Sequence, residues 1–156
     1  MTEPNQGQNI VFNIDKIYVK DVSYEAPGAP LAFTHADNAA AEIGMQLGLE
    51  HSALNQAQGI YEVVLTVTAT AKREKKNIFL VEVKQAGIFR ITGIEGDMLA
   101  RALGISCAYV LLPFVREAVN DLVGKGGFPQ LLINPINFEM IYEQKQTTQA
   151  AGPTIN

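Results

Sequence analysis

The sequence predicts an α+β domain in which an antiparallel four-stranded sheet packs against helices on one face. Two observations support this prediction. Apolar and polar residues alternate through much of the first two thirds of the chain, as they do in strands, and after Gly96 the apolar spacing becomes helical. Strands followed by helices favour α+β over α/β, in which the two alternate. The sheet face without helices is then left to water.

The first predicted strand spans about residues 10–25. Regular alternation would place Phe12 and Tyr24 on one face. It would also place Ile17 and Val19 on the opposite face, together with Asp21. This mixing of apolar and charged side chains predicts a bulge or a bend in the strand.

Residues 60–71 alternate more regularly and predict the second strand. A third run begins near Ile78, where the same alternation turns Val81 and Val83 inward and Leu80 and Glu82 outward. Gly87 interrupts this run, so residues 88–92 either continue it or form a separate fourth strand. The charged residues 72–77 have a length suited to a hairpin connection.

Between the first two predicted strands, residues 26–59 show no firm period and predict a long crossover loop. A loop of this length inside a small domain is uncommon and is often functional. It carries apolar residues that a small core does not need, among them Leu31, Phe33, Leu47 and Leu49.

The helical part begins with a short helix that ends at Gly104. A longer helix follows and ends at residues 124–127, with an apolar stripe of Leu111, Val115, Val119 and Leu122. A last helix starts after Asn137, a favourable N-cap residue. Residues 1–8 and 146–156 are polar and are expected to form disordered tails, which leaves one domain over residues 9–145.

Composition excludes several functional classes. The chain has 156 residues with 47% hydrophobic and 18% charged, which favours a folded domain over disorder. A net charge of −4 argues against nucleic-acid binding, which needs clustered Lys and Arg. Residues 1–9 lack the features of a signal peptide, and the sequence shows no apolar stretch of the ~20 residues that span a membrane. We therefore expect a protein that stays in the cytoplasm and does not insert into membranes.

The residues capable of chemistry do not form a catalytic pattern. His35 and His51 lie in the predicted loop without a second ligand at metal spacing, and Cys107 lies among apolar residues of a helix. The Gly124–Gly127 run follows a helix and lacks the Ser or Thr of a phosphate-binding loop. We expect no metal, no cofactor and no enzymatic activity. The alternative is a small-molecule carrier or an enzyme that uses the cleft between sheet and helices.

An ordered series of motifs resembles the SecB family of protein-export chaperones. The motifs are VKDVSYEAP (19–27), YEVVL (61–65), GIF (87–89), GIEG (93–96), LPFVRE (112–117), GFPQL (127–131) and PINF (135–138). The match covers the chain from about residue 11 to residue 142, and the order of the motifs is more specific than any one of them. The loop over residues 30–59 matches the family poorly.

The resemblance implies a homotetramer, built as a dimer of dimers, that binds unfolded precursor proteins and delivers them to the motor ATPase SecA. In the family an acidic patch on the outer sheet face docks SecA, and its positions fall here on Asp21, Glu25, Leu80 and Glu82, which alternation also turns outward. Family positions that influence assembly fall on Val81 and Val83. The C-terminal tail, residues 146–156, carries no charge, so an auxiliary tail contact with SecA is not expected to follow the family pattern.

Two further predictions start from apolar residues that one small core does not need. We expect a client-binding groove between the loop and the last helix, lined by Leu31, Phe33, Leu47, Leu49, Phe128, Phe138, Ile141 and Tyr142. The long helix is apolar on more than one side, so we expect subunits to meet there. The predicted tetramer interface comprises Leu111, Val115, Val119 and Leu122 of this helix, together with Val81 and Val83, which the resemblance implies.

Overall fold

A computed structural model describes residues 9–34 and 41–151. Four strands form one sheet: β1 Val11–Glu25, β2 Glu42–Asn55, β3 Ile60–Arg73 and β4 Lys76–Thr92. A 3-10 turn, Leu31–Phe33, follows β1. The helices are α1 Asp97–Arg101, a π-helical turn Ala102–Ser106, α2 Cys107–Lys125 and α3 Phe138–Ala151.

The sheet is antiparallel with the strand order β1-β4-β3-β2, so β1 and β2 are its two edges. The predicted α+β class and the four-stranded antiparallel sheet are confirmed. The β3–β4 hairpin turns tightly at Glu74 and Lys75, both of which have positive φ, as a type I′ turn requires.

Two of the four strands differ from the prediction. Residues 42–55 of the predicted loop form the edge strand β2, which pairs with β3 along its whole length. Residues 76–92 form one strand that continues through Gly87, so residues 88–92 are not a separate strand. Gly44 and Gly48 weaken the strand signal of β2, because glycine has low β propensity.

The mixed pattern of β1 is explained by two bulges, one between Ile14 and Lys16 and one between Val19 and Asp21. Each bulge shifts the alternation by one residue. As a result Ile17 and Val19 turn to the same face as the other apolar residues of β1, namely Phe12, Ile14, Val22 and Tyr24. The charged residues are kept on the opposite face.

The core lies between the sheet and α2. Leu111, Val115 and Val119 of α2 are fully buried over Val81 and Val83 of the sheet. We call this side of the sheet the inner face and the opposite side the outer face. An 18-residue window within the helix 97–125 has a mean hydropathy of 1.8, so this helix is long and apolar enough to cross a membrane, contrary to the expectation from the sequence. The core helix of a soluble protein meets the same criterion, and 39% of the window is buried within the described structure.

The helix α3 begins where Asn137 caps it: the Asn137 side-chain oxygen accepts a 3.0 Å hydrogen bond from the Met140 amide. The helix continues to Ala151, so residues 146–151 are helical and are not part of a disordered tail. Glutamine and alanine favour helix, which explains the extension. The other predicted tail residues, 1–8 and 152–156, lie outside the described residues.

Candidate functional site

The outer face of the sheet brings together the four residues of the predicted SecA patch. Glu25 lies opposite Leu80, and Glu82 lies between Ser23 on β1 and Thr68 on β3. Asp21 and Glu25 are exposed, whereas Leu80 and Glu82 are partly buried by their neighbours. The Thr68 hydroxyl donates a 2.9 Å hydrogen bond to the Glu82 carboxylate. Asp21, Glu25 and Glu82 therefore lie near one another on the outer face, with Lys84 opposite Asp21.

The other end of the outer face is neutralised by internal pairs. Lys20 donates to Glu62 at 2.7 Å, and Arg90 pairs with Asp15 at 3.1 Å. The Tyr18 hydroxyl also donates to Glu62, and it reaches across β4 to do so. The Lys20 and Tyr18 hydrogen bonds lower the pKa of Glu62, while burial and the neighbouring carboxylate raise the pKa of Tyr18 to about 12.

A groove on the inner face holds most of the predicted client-binding residues. It is a cavity of about 280 Å³ between α3, the edge strand β2 and the helix around the π-helical turn. Five predicted residues line it: Leu47, Leu49, Phe138, Ile141 and Tyr142. The ring of Tyr142 lies against Gly104, where a Cβ atom would be 2.8 Å from it, and Arg101 lies 5.3 Å above the ring.

The remaining predicted groove residues form a separate aromatic cluster. Phe128 packs between Phe33 and Phe79, with ring centroids 4.9 Å from each, and Tyr24 stacks on Phe79 at 6.3 Å. Phe79 is buried in the core, whereas Phe33 and its neighbour Leu31 are 52% and 67% exposed. The cluster therefore presents apolar surface next to the core.

An exposed stripe on β2 runs from the cavity toward the end of the sheet at which the aromatic cluster lies. Ile43, Met45 and Leu47 lie on the inner face and are 44%, 39% and 38% exposed. Ile43 lies in the same cross-strand row as Phe79, and Leu49 borders the cavity. These two positions are six residues apart, or about 20 Å along a strand. We call this stripe from Ile43 to Leu49, which borders the cavity at one end, the apolar track.

Sequence reasoning omitted Ile43 and Met45 from the groove. Ile43 and Met45 alternate with Gly44 and Gln46, which is the ordinary period of a strand with one apolar face. This alternation could have identified them as residues of an exposed apolar strand face.

The predicted tetramer-interface residues lie mostly inside the chain. Val81, Val83, Leu111, Val115 and Val119 are at most 1% exposed, and only Leu122 is partly accessible. Side chains without surface cannot contact another subunit directly. The apolar surface of α2 is instead carried by two other residues, Tyr109 (41% exposed) and Phe114 (43% exposed).

The groups capable of chemistry form no metal-binding cluster within the described residues. Cys107 is buried, and burial raises the pKa of its thiol to about 12, which suppresses the reactive thiolate. His51 lies at the cavity, and His35 lies outside the described residues. Over residues 9–34 and 41–151, no three His, Cys, Asp or Glu side chains are placed to hold a metal ion.

The family model for SecB, described as preprotein translocase subunit SecB, matches residues 5–149. The chain belongs to the SecB family. It is 47% identical over 146 residues to the protein-export protein SecB of Halorhodospira halophila, covering 94% of this chain and 82% of that protein. It is 48% identical over 139 residues to the SecB of Chromobacterium violaceum, covering 89% and 90% of the two chains.

A solved structure shares the SecB fold at low identity. It is the SecB-like chaperone of Mycobacterium tuberculosis in complex with a ChAD peptide from the HigA1 antitoxin, with a TM-score of 0.66 and 16% identity. The match covers 80% of this chain and 90% of that one. The family model and the relatives confirm the resemblance of the sequence motifs to the SecB family, and the solved structure supports the fold.

Proposed function

We propose that this SecB-family chain is a chaperone that binds unfolded precursor proteins along the apolar track. The observation that supports this best is the exposure of Ile43, Met45 and Leu47 between two apolar sites, because such contiguous apolar surface marks a binding surface in soluble proteins. Its length of about 20 Å would hold about six extended residues. The related fold in M. tuberculosis was solved with a peptide bound, so this architecture is able to hold one.

The mode of binding follows from the need to accept many sequences. Burial of apolar side chains is non-directional, and each large side chain fully buried contributes about 1.5–3 kcal/mol. A client would therefore gain affinity from several modest contacts spread along the track. The free edge of β2 adds unpaired backbone groups that an extended segment can hydrogen-bond.

Delivery to SecA is the second part of the proposal. Asp21, Glu25 and Glu82 supply negative charge and Leu80 supplies an apolar contact on the outer face, whereas the side chains of the track lie on the inner face. Complementary charge steers association, so docking is expected to be sensitive to salt. Because clients bind the inner face and SecA binds the outer face, the two partners can be held at once.

Assembly is the third part of the proposal. The exposed rings of Tyr109 and Phe114 on α2 would be covered by subunits in a homotetramer, a dimer of dimers. A tetramer offers several tracks to one unfolded chain and so raises avidity. Val81, Val83, Leu111, Val115, Val119 and Leu122 would act in assembly by supporting this surface from within. The chaperone would act in the cytoplasm without a cofactor and without catalysing a reaction.

The proposal is tested by mixing the protein with a reduced, chemically unfolded protein at micromolar concentration, with no nucleotide present. Binding that disappears when the client is allowed to refold supports a chaperone of unfolded chains. Equal affinity for folded and unfolded forms of the client, or no binding to either, would overturn it.

A further inference from the structure

A shallow depression lies on the outer face of the sheet, between β2 and Leu80 of the SecA patch. It has a volume of about 530 Å³, and Thr68 and Thr70 of β3 line it together with Leu80. Gly44 on β2 also lines it and contributes no side chain. A Cβ atom built at Gly44 would have the Thr70 carbonyl oxygen as its nearest described neighbour, 4.0 Å away. The depression therefore lies where the outer face lacks a side chain.

The depression and the acids of the SecA patch lie on one row of residues that crosses all four strands. Gly44 on β2 lies opposite Thr70 on β3. Thr70 lies opposite Leu80 on β4, and Leu80 lies opposite Glu25 on β1. Neighbouring strands are about 4.8 Å apart, so Gly44 and Glu25 are separated by about 14 Å. Along this row the outer face changes from an acid, through leucine and threonine, to an empty position.

The second glycine on the outer face of β2 has different neighbours. Gly48 lies opposite Thr66, and a Cβ atom built there would be 3.7 Å from the Thr66 Cβ atom, an ordinary contact. Thr66 lies opposite Lys84, which in turn lies opposite Asp21. The row through Gly48 therefore carries a lysine where the other row carries a leucine.

The rim of the depression carries balanced charge. Glu42 on β2 lies opposite Lys72 on β3, and both are exposed. The other polar residues of the rim, Gln46 and Asn77, are uncharged. Leu80 adds apolar surface at one side. The depression therefore suits an uncharged, apolar side chain, whereas the acids at the other end of the row suit a cation.

We infer that the partner on the outer face crosses the strands along this row, with a basic residue at Glu25 and an apolar side chain in the depression over Gly44. The inference rests on the proposed delivery to SecA and names the chemistry of the SecA segment that docks. Side chains at positions i and i+4 of an extended segment point to the same side and are about 13 Å apart, which matches the row. The charge contact steers the encounter, and burial of the apolar side chain adds affinity and fixes the direction of the segment.

The test fills the depression from Gly44. Gly44→Ala and Gly44→Val add side chains of increasing size at an open position, and valine favours a strand, so resistance to urea should not fall. Titration calorimetry with intact SecA should give an affinity that falls with the size of the added side chain, by about five- to ten-fold for valine, because one apolar contact is lost. The dependence of this affinity on salt should stay the same, because the charges are unchanged. Gly48→Val is the matched control on the same face of the same strand, and it should leave SecA affinity unchanged.

The possible outcomes separate this inference from the proposed function. Unchanged SecA affinity in Gly44→Val, while Glu82→Lys still weakens it, would overturn the inference and leave the acidic docking in place. Equal losses in Gly44→Val and Gly48→Val would also overturn it. A changed oligomer mass in Gly44→Val would place a second copy of the chain in the depression and overturn it as well. Failure of SecA to bind the unsubstituted protein would overturn both the inference and the proposed delivery.

Discussion

The hydroxyl of Thr68 on β3 donates a 2.9 Å hydrogen bond to the carboxylate of Glu82 on β4. The bond fixes the orientation of the most central acid on the outer face, between β1 and β3. A carboxylate held in place loses less conformational freedom when a partner binds. Thr68 is therefore expected to support the SecA patch through the position of Glu82.

The first prediction concerns this pair. Thr68→Val should weaken SecA binding about two- to ten-fold, the range expected for one lost hydrogen bond. Glu82→Lys should weaken it further and reduce its dependence on salt. Thr66→Val is the matched control, since Thr66 lies on the same face of β3 and is not hydrogen-bonded to an acid. Titration calorimetry with SecA measures the effect, and equal losses in the two threonine variants would contradict it.

The second prediction concerns pH. The Lys20 and Tyr18 hydrogen bonds lower the pKa of Glu62 from 4.5, so ionised Glu62 stabilises the fold. A carboxyl whose pKa is lower in the folded state contributes stability above its unfolded pKa and loses it as pH falls through the folded pKa. Glu62→Gln should cost roughly 1–3 kcal/mol at neutral pH and less below pH ~4. Urea unfolding at several pH values measures this, and a cost independent of pH would argue against it.

The third prediction concerns the wall of the cavity. A Cβ atom at Gly104 would lie 2.8 Å from the Tyr142 ring, so Gly104→Ala should displace that ring and the start of α3. Alanine stabilises a helix by about 1 kcal/mol relative to glycine, and this gain should offset the cost of displacing the ring. The global free energy of unfolding should therefore change little. We expect faster hydrogen exchange in α3 and several-fold weaker client binding. Gly124→Ala is the control, because a Cβ there meets nothing within 4 Å. Indistinguishable exchange in the two variants would count against this role of Gly104.

The fourth prediction separates the core from the subunit surface. Phe114→Asp should dissociate the tetramer at micromolar concentration, because it places a charge on a ring that a subunit would cover. Leu111→Ala should instead lower the free energy of unfolding by about 2–5 kcal/mol, because Leu111 is fully buried. Light scattering and thermal unfolding distinguish the two effects. A Phe114→Asp variant that remains tetrameric would place the interface elsewhere.

The sequence predicts the faces of these outer residues well because they lie in stretches of regular alternation, after the second bulge of β1 and in β4. Glu25, Leu80 and Glu82 were expected on one face, and the pairing of β1 with β4 brings them together. Asp21 lies on the predicted face despite the bulge before it, because only residues between the two bulges, such as Ile17 and Val19, change face. Regular strands therefore allow a surface to be predicted without knowledge of the strand order.

The inner face was harder to predict because it depends on contacts distant in sequence. Leu47 and Tyr142 border one cavity, although almost a hundred residues separate them. Leu31, Phe33 and Phe128 were assigned to the same groove, but Phe33 and Phe128 pack in a different cluster and none of the three lines the cavity. The alternation of apolar and polar residues in β2 was present but was weakened by its glycines. The burial of Val115 within the chain depends on distant residues, so no local sequence pattern reveals it.

The central claim is that unfolded chains bind the apolar track. The most direct measurement is the affinity of a chemically unfolded protein for the paired variant Met45→Asp, Leu47→Asp. Both side chains are more than one-third exposed, so the fold should tolerate the change. We predict at least ~10-fold weaker binding, with the tetramer mass and SecA affinity retained, since two apolar contacts are lost. Gln46→Asp on the outer face of the same strand should leave client affinity unchanged. Unaltered client affinity in a paired variant that is still tetrameric would contradict the claim.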